Sequence, residues 1–276
     1  MSIMRRCITF ACLWLAALPV WAEIPDTVFL EELTWTEVRD ALKAGKTTII
    51  LPTGGTEQNG PHMALGKHNY IIKHTSERIA RRLGNTLVAP VMAYVPEGDL
   101  EPPTGHMIYP GTITLPDEHF MKVVEFAARS FKVNGFRDIV FLGDSGPNQK
   151  GMRTAGELLN KEWATIGVRV HFIPDYYTAG YDLKGDFAVW LQGQGETLED
   201  IGRHAGIADT SQLMAIDPKL IRMDKRAPGG DYGLTGVSGN PVRANAAYGR
   251  RGLDLKIDAA VAQIRASMAS SSRGPR

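Results

Sequence analysis

Short runs of β-branched and apolar residues alternate along this chain with longer segments whose apolar positions recur at helical spacing, and this alternation restricts the fold more than any other feature. Residues 47–52 read as a strand. Residues 67–83 follow as a helix with Ile71, Thr75, Ile79 and Leu83 on one face. Residues 87–95 read as a second strand. Residues 116–134 read as an amphipathic helix through Val123, Val124, Ala127 and Phe131, with Gly135 where a helix C-cap belongs. A buried-type strand over 139–142, a helix over 149–166, a strand over 168–173 and a long closing helix over 244–268 complete the series. Strands separated by helices pair in parallel, so the expected class is α/β, a mainly parallel sheet covered on both faces. In such sheets ligands bind at the carboxyl ends of the strands. Chemistry is therefore expected in the loops after Pro52, Val95 and Leu142.

The two ends of the chain fall outside this pattern. Arg5 and Arg6 precede an apolar run over residues 7–20 that ends in Val20-Trp21-Ala22, the layout of a secretory signal cut after Ala22. The run is shorter than the ~20 residues a spanning helix needs. The expectation is a secreted or periplasmic protein with a signal peptide at 1–22, one α/β domain over 23–268 and a disordered tail over 269–276. Both cysteines, Cys7 and Cys12, lie in the signal, so the mature chain has neither disulfides nor thiol catalysis. A net charge of +1 from 31 basic and 30 acidic residues argues against a basic nucleic-acid-binding surface as the main function. No nucleic-acid partner is expected, and no membrane association after signal cleavage.

The first loop carries Glu57, Asn59 and His62 in Glu-Gln-Asn-Gly-Pro-His, with His68 at the following helix start. A carboxylate among imidazoles suits a divalent transition metal; equally, each residue could satisfy a local hydrogen bond. The second loop, 96–112, contains Glu97, Asp99, Glu101 and His106 before Tyr109-Pro110-Gly111-Thr112. Its length and Pro/Gly content are those of an active-site wall, and His106 there is a ligand, a substrate contact or a plain loop histidine. The third loop is Gly143-Asp144-Ser145-Gly146-Pro147-Asn148. Gly-Asp-Ser-Gly is shared with trypsin-like proteases, but their Ala-Ala-His-Cys segment is absent. Gly-Asp-Ser after a strand is shared with SGNH esterases, whose serine is a nucleophile, but that block normally opens the domain and its late Asp-x-x-His is missing. A fourth segment holds His204 and Asp209 five residues apart at a helix entrance. Histidine suits proton donation to a leaving group; Asp209 or Thr210 also suits a helix cap.

The order of these motifs carries more than any one of them. A strand leads to Gly-x-x-Glu-Gln-x-Gly-Pro-His, then Tyr109-Pro110-Gly111-Thr112-Ile113, then Gly135-Phe136-Arg137 before a strand, then His204-Ala205-Gly206-x-x-Asp209-Thr210-Ser211, then Gly236-Val237-x-Gly239-Asn240-Pro241. Over residues 47–264 this resembles the creatininase family. The resemblance implies a three-layer α/β/α sandwich, assembly as a homo-oligomer that is often a hexamer, and hydrolysis of C–N bonds in cyclic or linear amides with divalent zinc, manganese or iron.

The chain departs from the family pattern at the metal ligands. Glu57 matches the family's first ligand, while a ligand histidine falls at Asn59, the metal-bridging aspartate at His68 and another ligand histidine at Ser145. A neutral imidazole offers one lone pair and cannot bridge two ions as a carboxylate does. The expectation drawn from the resemblance is a single ion at Glu57, His68 and Asp144, zinc first and manganese or iron(II) as alternatives. His204 then protonates the leaving nitrogen, Asp209 orients His204 or the substrate, and His106, Ser145 and Asn59 contact a small amide. His62 braces the Gly60-Pro61 turn. The alternative is a non-catalytic descendant that binds a small molecule or builds an oligomer.

Overall fold

The computed structural model describes residues 25–271. Its centre is a four-stranded parallel sheet in the order β2-β1-β3-β4. The strands are β1 (Thr48–Thr53), β2 (Thr86–Val88), β3 (Asp138–Gly143) and β4 (Arg169–Phe172). Among the described residues ten α-helices accompany them: α1 (Trp35–Lys43), α2 (Lys67–Leu83), α3 (Asp117–Asn134), α4 (Asn148–Glu162), α5 (Pro174–Tyr181), α6 (Asp186–Gly193), α7 (Leu198–Ile201), α8 (Ile207–Ile216), α9 (Tyr232–Thr235) and α10 (Ala246–Ser271). Successive side chains along a strand point to opposite faces. Ile49, Leu51, Ile139 and Phe141 accordingly pack on one face against Phe120, Val124 and Phe131 of α3, Met152 and Leu159 of α4 and Val38 and Leu42 of α1. Ile50, Val140 and Leu142 pack on the other against Ile72 and Ile79 of α2, Tyr176 of α5 and Ile257 and Ile264 of α10. Helices on both faces of a parallel sheet make the expected three-layer α/β/α sandwich.

The boundaries differ from expectation for local reasons. β2 is short: Pro90 has no N–H for the ladder, and beyond it only isolated bridges at Met92 and Val95 continue. α3 ends as the sequence indicates, with Gly135 in the left-handed region at φ 105°. The closing helix runs on to Ser271, into the segment expected to be tail, and residues 272–276 lie outside the described residues, as does the proposed signal at 1–22. Among the described residues no helix is long and apolar enough to cross a membrane.

The topology decides where a ligand can bind. From β1 the chain crosses to β2 on one side and then to β3 on the other, so the sheet reverses its winding between β1 and β3. Thr53 pairs with Gly143, the last residue of each strand. The loops that follow therefore leave the sheet side by side at the switch point, where open α/β sheets bind ligands.

Candidate active site

Four segments converge above that switch point. The loop after β1 supplies Glu57 and Gln58. The first turn of α2 supplies Lys67 and His68. A 3₁₀ turn over Gly105–Ile108 supplies His106. The segment entering α8 supplies His204 and Asp209. With Ser145, Tyr177, Tyr181, Arg203 and Tyr232 these residues, Gln58 apart, line a cleft of about 180 Å³. The β1 loop is anchored by Gly55 N–H to Asn69 Oδ1 (3.0 Å) and by Gln58 N–H to Thr112 Oγ1 (3.1 Å). Ala205, next to His204, is a non-glycine residue in the left-handed region (φ 55°). Its N–H donates to Asp209 Oδ2 at 2.7 Å, which holds this strained turn.

Below the cleft runs a continuous chain of charged hydrogen bonds. His68 donates through Nε2 to Glu57 Oε1 (2.9 Å) and through Nδ1 to Asp144 Oδ2 (2.7 Å). Donation to two carboxylates from both ring nitrogens makes His68 an imidazolium. Asp144 is fully buried and also accepts from the Lys256 ammonium, Tyr176 Oη (2.7 Å) and Tyr181 Oη (2.9 Å). Lys67, 1% exposed, donates to Asp209 Oδ1 at 2.9 Å and lies 3.4 Å from Glu57 Oε1. Burial opposes ionisation of Glu57, but the His68 and Lys67 charges outweigh it and hold the carboxyl well below its usual range. Burial and the Lys67 charge oppose protonation of His68, and Glu57 with the hydrogen bonds to both carboxylates raises it above the ordinary histidine range.

Gln58 determines the protonation of the two cleft histidines. Its Oε1 accepts from Gly60 N–H (2.8 Å), which fixes the amide orientation. Its Nε2 therefore donates, to His106 Nδ1 and Tyr232 Oη, each at 3.1 Å. A neutral His106 with Nδ1 accepting carries its proton on Nε2, which points at Glu57 Oε2 across 3.4 Å. His204 is the reverse: Nε2–H donates to the Gln58 carbonyl (2.9 Å), leaving the Nδ1 lone pair 3.7 Å from Glu57 Oε1. Burial, then the Lys67 charge, lowers His204 to about 4, so it is a neutral acceptor near pH 7.

The expected site residues are all near this cleft, but not in the expected roles. Glu57, His68 and Asp144 do not converge on a point. His68 stands between the carboxylates with both nitrogens engaged, and Asp144 lies beneath it on Lys256, off the cleft, so this trio is not a metal-ligand set. Asn59 does not line the cleft; it is buried and its Nδ2 ties down the Glu57 carbonyl (2.9 Å). Asp209 reaches Lys67 and the Ala205 N–H rather than the His204 ring. His106, Ser145 and His204 do line the cleft. His62 bonds Thr210 Oγ1 at 2.9 Å below the Gly60 turn. No sequence motif points to Lys67, Lys256 or Tyr232; Gln58 and Glu97 lie in the first two loops, and Tyr181 is one of several aromatic candidates for a pocket wall, but the sequence assigns none of the three a definite role. Glu97 is buried beside Glu57; burial, then the Glu57 charge, pushes it to about 11, so it is a neutral acid. Two sequence signals were available for the lysines. Lys256 sits among Leu253, Ile257 and Ala260 on a buried helical stripe. Lys67 and His68 place cations in a helix first turn, against the dipole.

A divalent ion can be tested against these donors. Glu57, His106 and His204 each bring one ligand atom within 4.8 Å of the others, a possible metal-binding triad. His204 fits: its second N–H meets a carbonyl, the usual support for a ligating imidazole. His106 does not, because its second nitrogen meets an amide N–H and the proton sits on the atom that should ligate. The three buried carboxylates Glu57, Asp144 and Asp209 already face three cations, Lys67, His68 and Lys256. As arranged, the residues do not fit a resident dication.

The family model for creatininase, creatinine amidohydrolase, matches residues 31–264. Creatinine amidohydrolase of Pseudomonas putida is 27% identical over 201 residues, covering 72% of this chain and 75% of that one. A mycofactocin precursor peptide peptidase of Mycobacterium tuberculosis is 27% identical over 250 residues (81% and 86%). A 3-dehydro-scyllo-inosose hydrolase of Thermotoga maritima is 29% identical over 125 residues (45% and 38%). Among solved structures, a creatinine amidohydrolase superposes with TM-score 0.71 at 22% identity, covering 91% of this chain and all of that one. A manganese form of creatininase superposes with TM-score 0.71 at 24% identity (88% and 99%).

Proposed function

Because the chain belongs to the creatininase family, we propose that it is a hydrolase cleaving the C–N bond of a small cyclic or linear amide in this cleft. One observation carries the reading: the unprotonated Nδ1 of His204 faces the Glu57 carboxylate across 3.7 Å on the cleft wall. A water seated beside the pair, on the cleft side, can donate to both groups at once. His204 accepts its proton as the oxygen adds to the amide carbon, and Glu57 stabilises the imidazolium so formed. His204 then returns the proton to the nitrogen as the C–N bond breaks, giving a carboxylic acid and an amine. Gln58 holds His204 through its carbonyl and His106 through its amide, so one residue sets both rings. The cleft volume, about 180 Å³, suits a substrate of few heavy atoms. The hydrogen bonds among the described residues give the Ser145 hydroxyl no histidine partner, which disfavours a serine nucleophile.

The convergence of Glu57, His106 and His204 favours a second reading, in which these three hold one divalent ion, zinc first and manganese or iron(II) as alternatives. That reading requires the Gln58 amide to release His106. The test is amine release from a panel of cyclic and linear amides, with metal content measured before and after chelation. Turnover by metal-free protein supports the first reading. Turnover lost on chelation and restored by zinc supports the second. No turnover of any amide, with retained binding of one of them, sinks the hydrolase and leaves the binding descendant. Export by cleavage after Ala22 and assembly as a homo-oligomer, with a hexamer as the form implied by the family, complete the proposal; N-terminal sequencing and light scattering test them.

A further inference from the structure

We propose that the Lys67 ammonium is the built-in electrophile of this site, a fixed cation that holds the substrate's carbonyl oxygen and makes a metal ion unnecessary. The inference rests on the hydrolase reading above. Lys67 is 1% exposed, yet it is among the residues lining the cleft, with His106, His204 and Ser145. Asp209 Oδ1 takes one of its three N–H groups at 2.9 Å, and Glu57 Oε1 attracts a second from 3.4 Å. Among the described residues the third has no carboxylate partner, with the Tyr181 ring 5.9 Å from the ammonium, and it is the one assigned to the substrate oxygen. Two carboxylates from different elements therefore aim the ammonium, so little reorganisation is needed when negative charge develops on a nearby oxygen.

Charge balance supports the same assignment. Asp144 is neutralised beneath the cleft by Lys256 and shares His68 with Glu57. Glu57 and Asp209 in turn share Lys67. A divalent ion beside Glu57 would add two uncompensated charges at low dielectric, next to an ammonium that cannot move away. In the reaction, the water oxygen bonds to the amide carbon while its proton passes to His204. The carbonyl electron pair moves to the oxygen held by Lys67. When that pair returns, the C–N bond breaks and the nitrogen takes the proton from His204. No oxidant, reductant or further co-reactant is consumed.

The experiment uses the full mature chain and two variants, Lys67→Ala and Lys67→Arg, with Zn²⁺ as the probe. Calorimetric titration of metal-free protein is expected to show no zinc site in the wild type or in Lys67→Arg. Lys67→Ala leaves Glu57 and Asp209 without their cation and is expected to gain a zinc site, at least tenfold tighter than any binding the wild type shows. On the best amide of the panel, Lys67→Ala is expected to lose ~10²–10³ in kcat with KM little changed, the loss typical of one removed oxyanion donor. Lys67→Arg is expected to keep part of kcat. A wild type that binds one zinc per chain and needs it for turnover overturns the proposal while leaving the hydrolase reading intact. Equal zinc affinity in wild type and Lys67→Ala also overturns it. If no amide is turned over, the hydrolase reading falls separately and the zinc comparison still decides whether Lys67 does the work of a cation. Should Lys67→Ala not fold, Lys67→Met keeps most of the buried stem, removes the charge and is read in the same way; a wild-type zinc site remains the refuting result.

Discussion

Replacing Lys256 by methionine tests the buried charge chain at its deepest point. The Lys256 stem crosses Gly180, where an added Cβ would sit 2.4 Å from its Cδ, and its ammonium ends on Asp144 in a place where both side chains are inaccessible. Methionine retains most of the stem volume, so the change removes a charge rather than opening a large cavity. Asp144 keeps the His68 ring and the Tyr176 and Tyr181 hydroxyls but loses its ammonium. Removing one partner of a buried pair costs about 3–5 kcal/mol. For a chain of this size that corresponds to a fall of roughly 6–20 °C in Tm. The pH dependence adds a sharper test. Burial opposes ionisation of Asp144, and Lys256 with the His68 hydrogen bond outweighs it, so the carboxyl lies below its ordinary range. A depressed carboxyl contributes stability above its unfolded pKa, near 3.9, and loses it as pH falls through the folded value. Lys256→Met raises that folded value. Its deficit should therefore be full at neutral pH and narrow below about pH 4. Urea denaturation from pH 3 to pH 8 reads both effects. A deficit under ~1 kcal/mol, or one that does not change with pH, would refute the idea that this pair carries a buried charge.

Further outcomes follow from the same geometry. His204→Asn should lower kcat/KM by ~10²–10⁴ on any amide that the wild type hydrolyses. In the wild type kcat/KM should rise through about pH 4, as His204 becomes neutral, and stay level to neutral pH. Glu97, raised to about 11, keeps its proton in the folded state while the unfolded chain releases it near pH 4.3, so the wild type loses stability as pH rises between those values. Glu97→Gln should therefore be the more stable protein at pH 8, by about 2–4 kcal/mol, with the advantage growing between pH 5 and 9; equal melting curves across that range would contradict it. Gly202→Ala places a Cβ 1.8 Å from the Ser238 carbonyl oxygen at φ 67° and should cost about 2–4 kcal/mol in a thermal melt.

Much of the architecture was legible because it rests on local chemistry. Ile49, Leu51, Ile139 and Phe141 alternate with Ile50, Val140 and Leu142, and a strand with apolar residues on both faces has to be covered on both. The helix over 67–83 was readable because Ile71, Thr75, Ile79 and Leu83 share one face, and in the structure Gly66 and Gly84 cap its two ends. In segment 174–243 the helix entrance after His204 was legible and the other helices were not. Its helices are four to ten residues long, too short for periodicity to stand out. The order of the loop motifs identified the family and brought Glu57, His106, Ser145 and His204 to one cleft.

The roles of those residues were decided only by tertiary structure. In sequence, Glu57, His68 and Asp144 are two carboxylates and a histidine, a composition that suits a metal. Whether such a set chelates depends on where the lone pairs point, and here His68 turns both nitrogens onto carboxylates. That orientation requires counter-charges from elsewhere in the chain: Lys67 clamped by Asp209, 142 residues away, and Lys256, 112 residues from Asp144. No local pattern records such distances. The sequence by itself determined the α/β class, the layers and the loops expected to carry chemistry, because those follow from apolar periodicity and motif order; the strand order that seats the loops after β1 and β3 side by side at the switch point came only with the fold. The protonation of each ring, and with it the difference between a metal site and a balanced set of fixed charges, exists only once the fold brings those partners together.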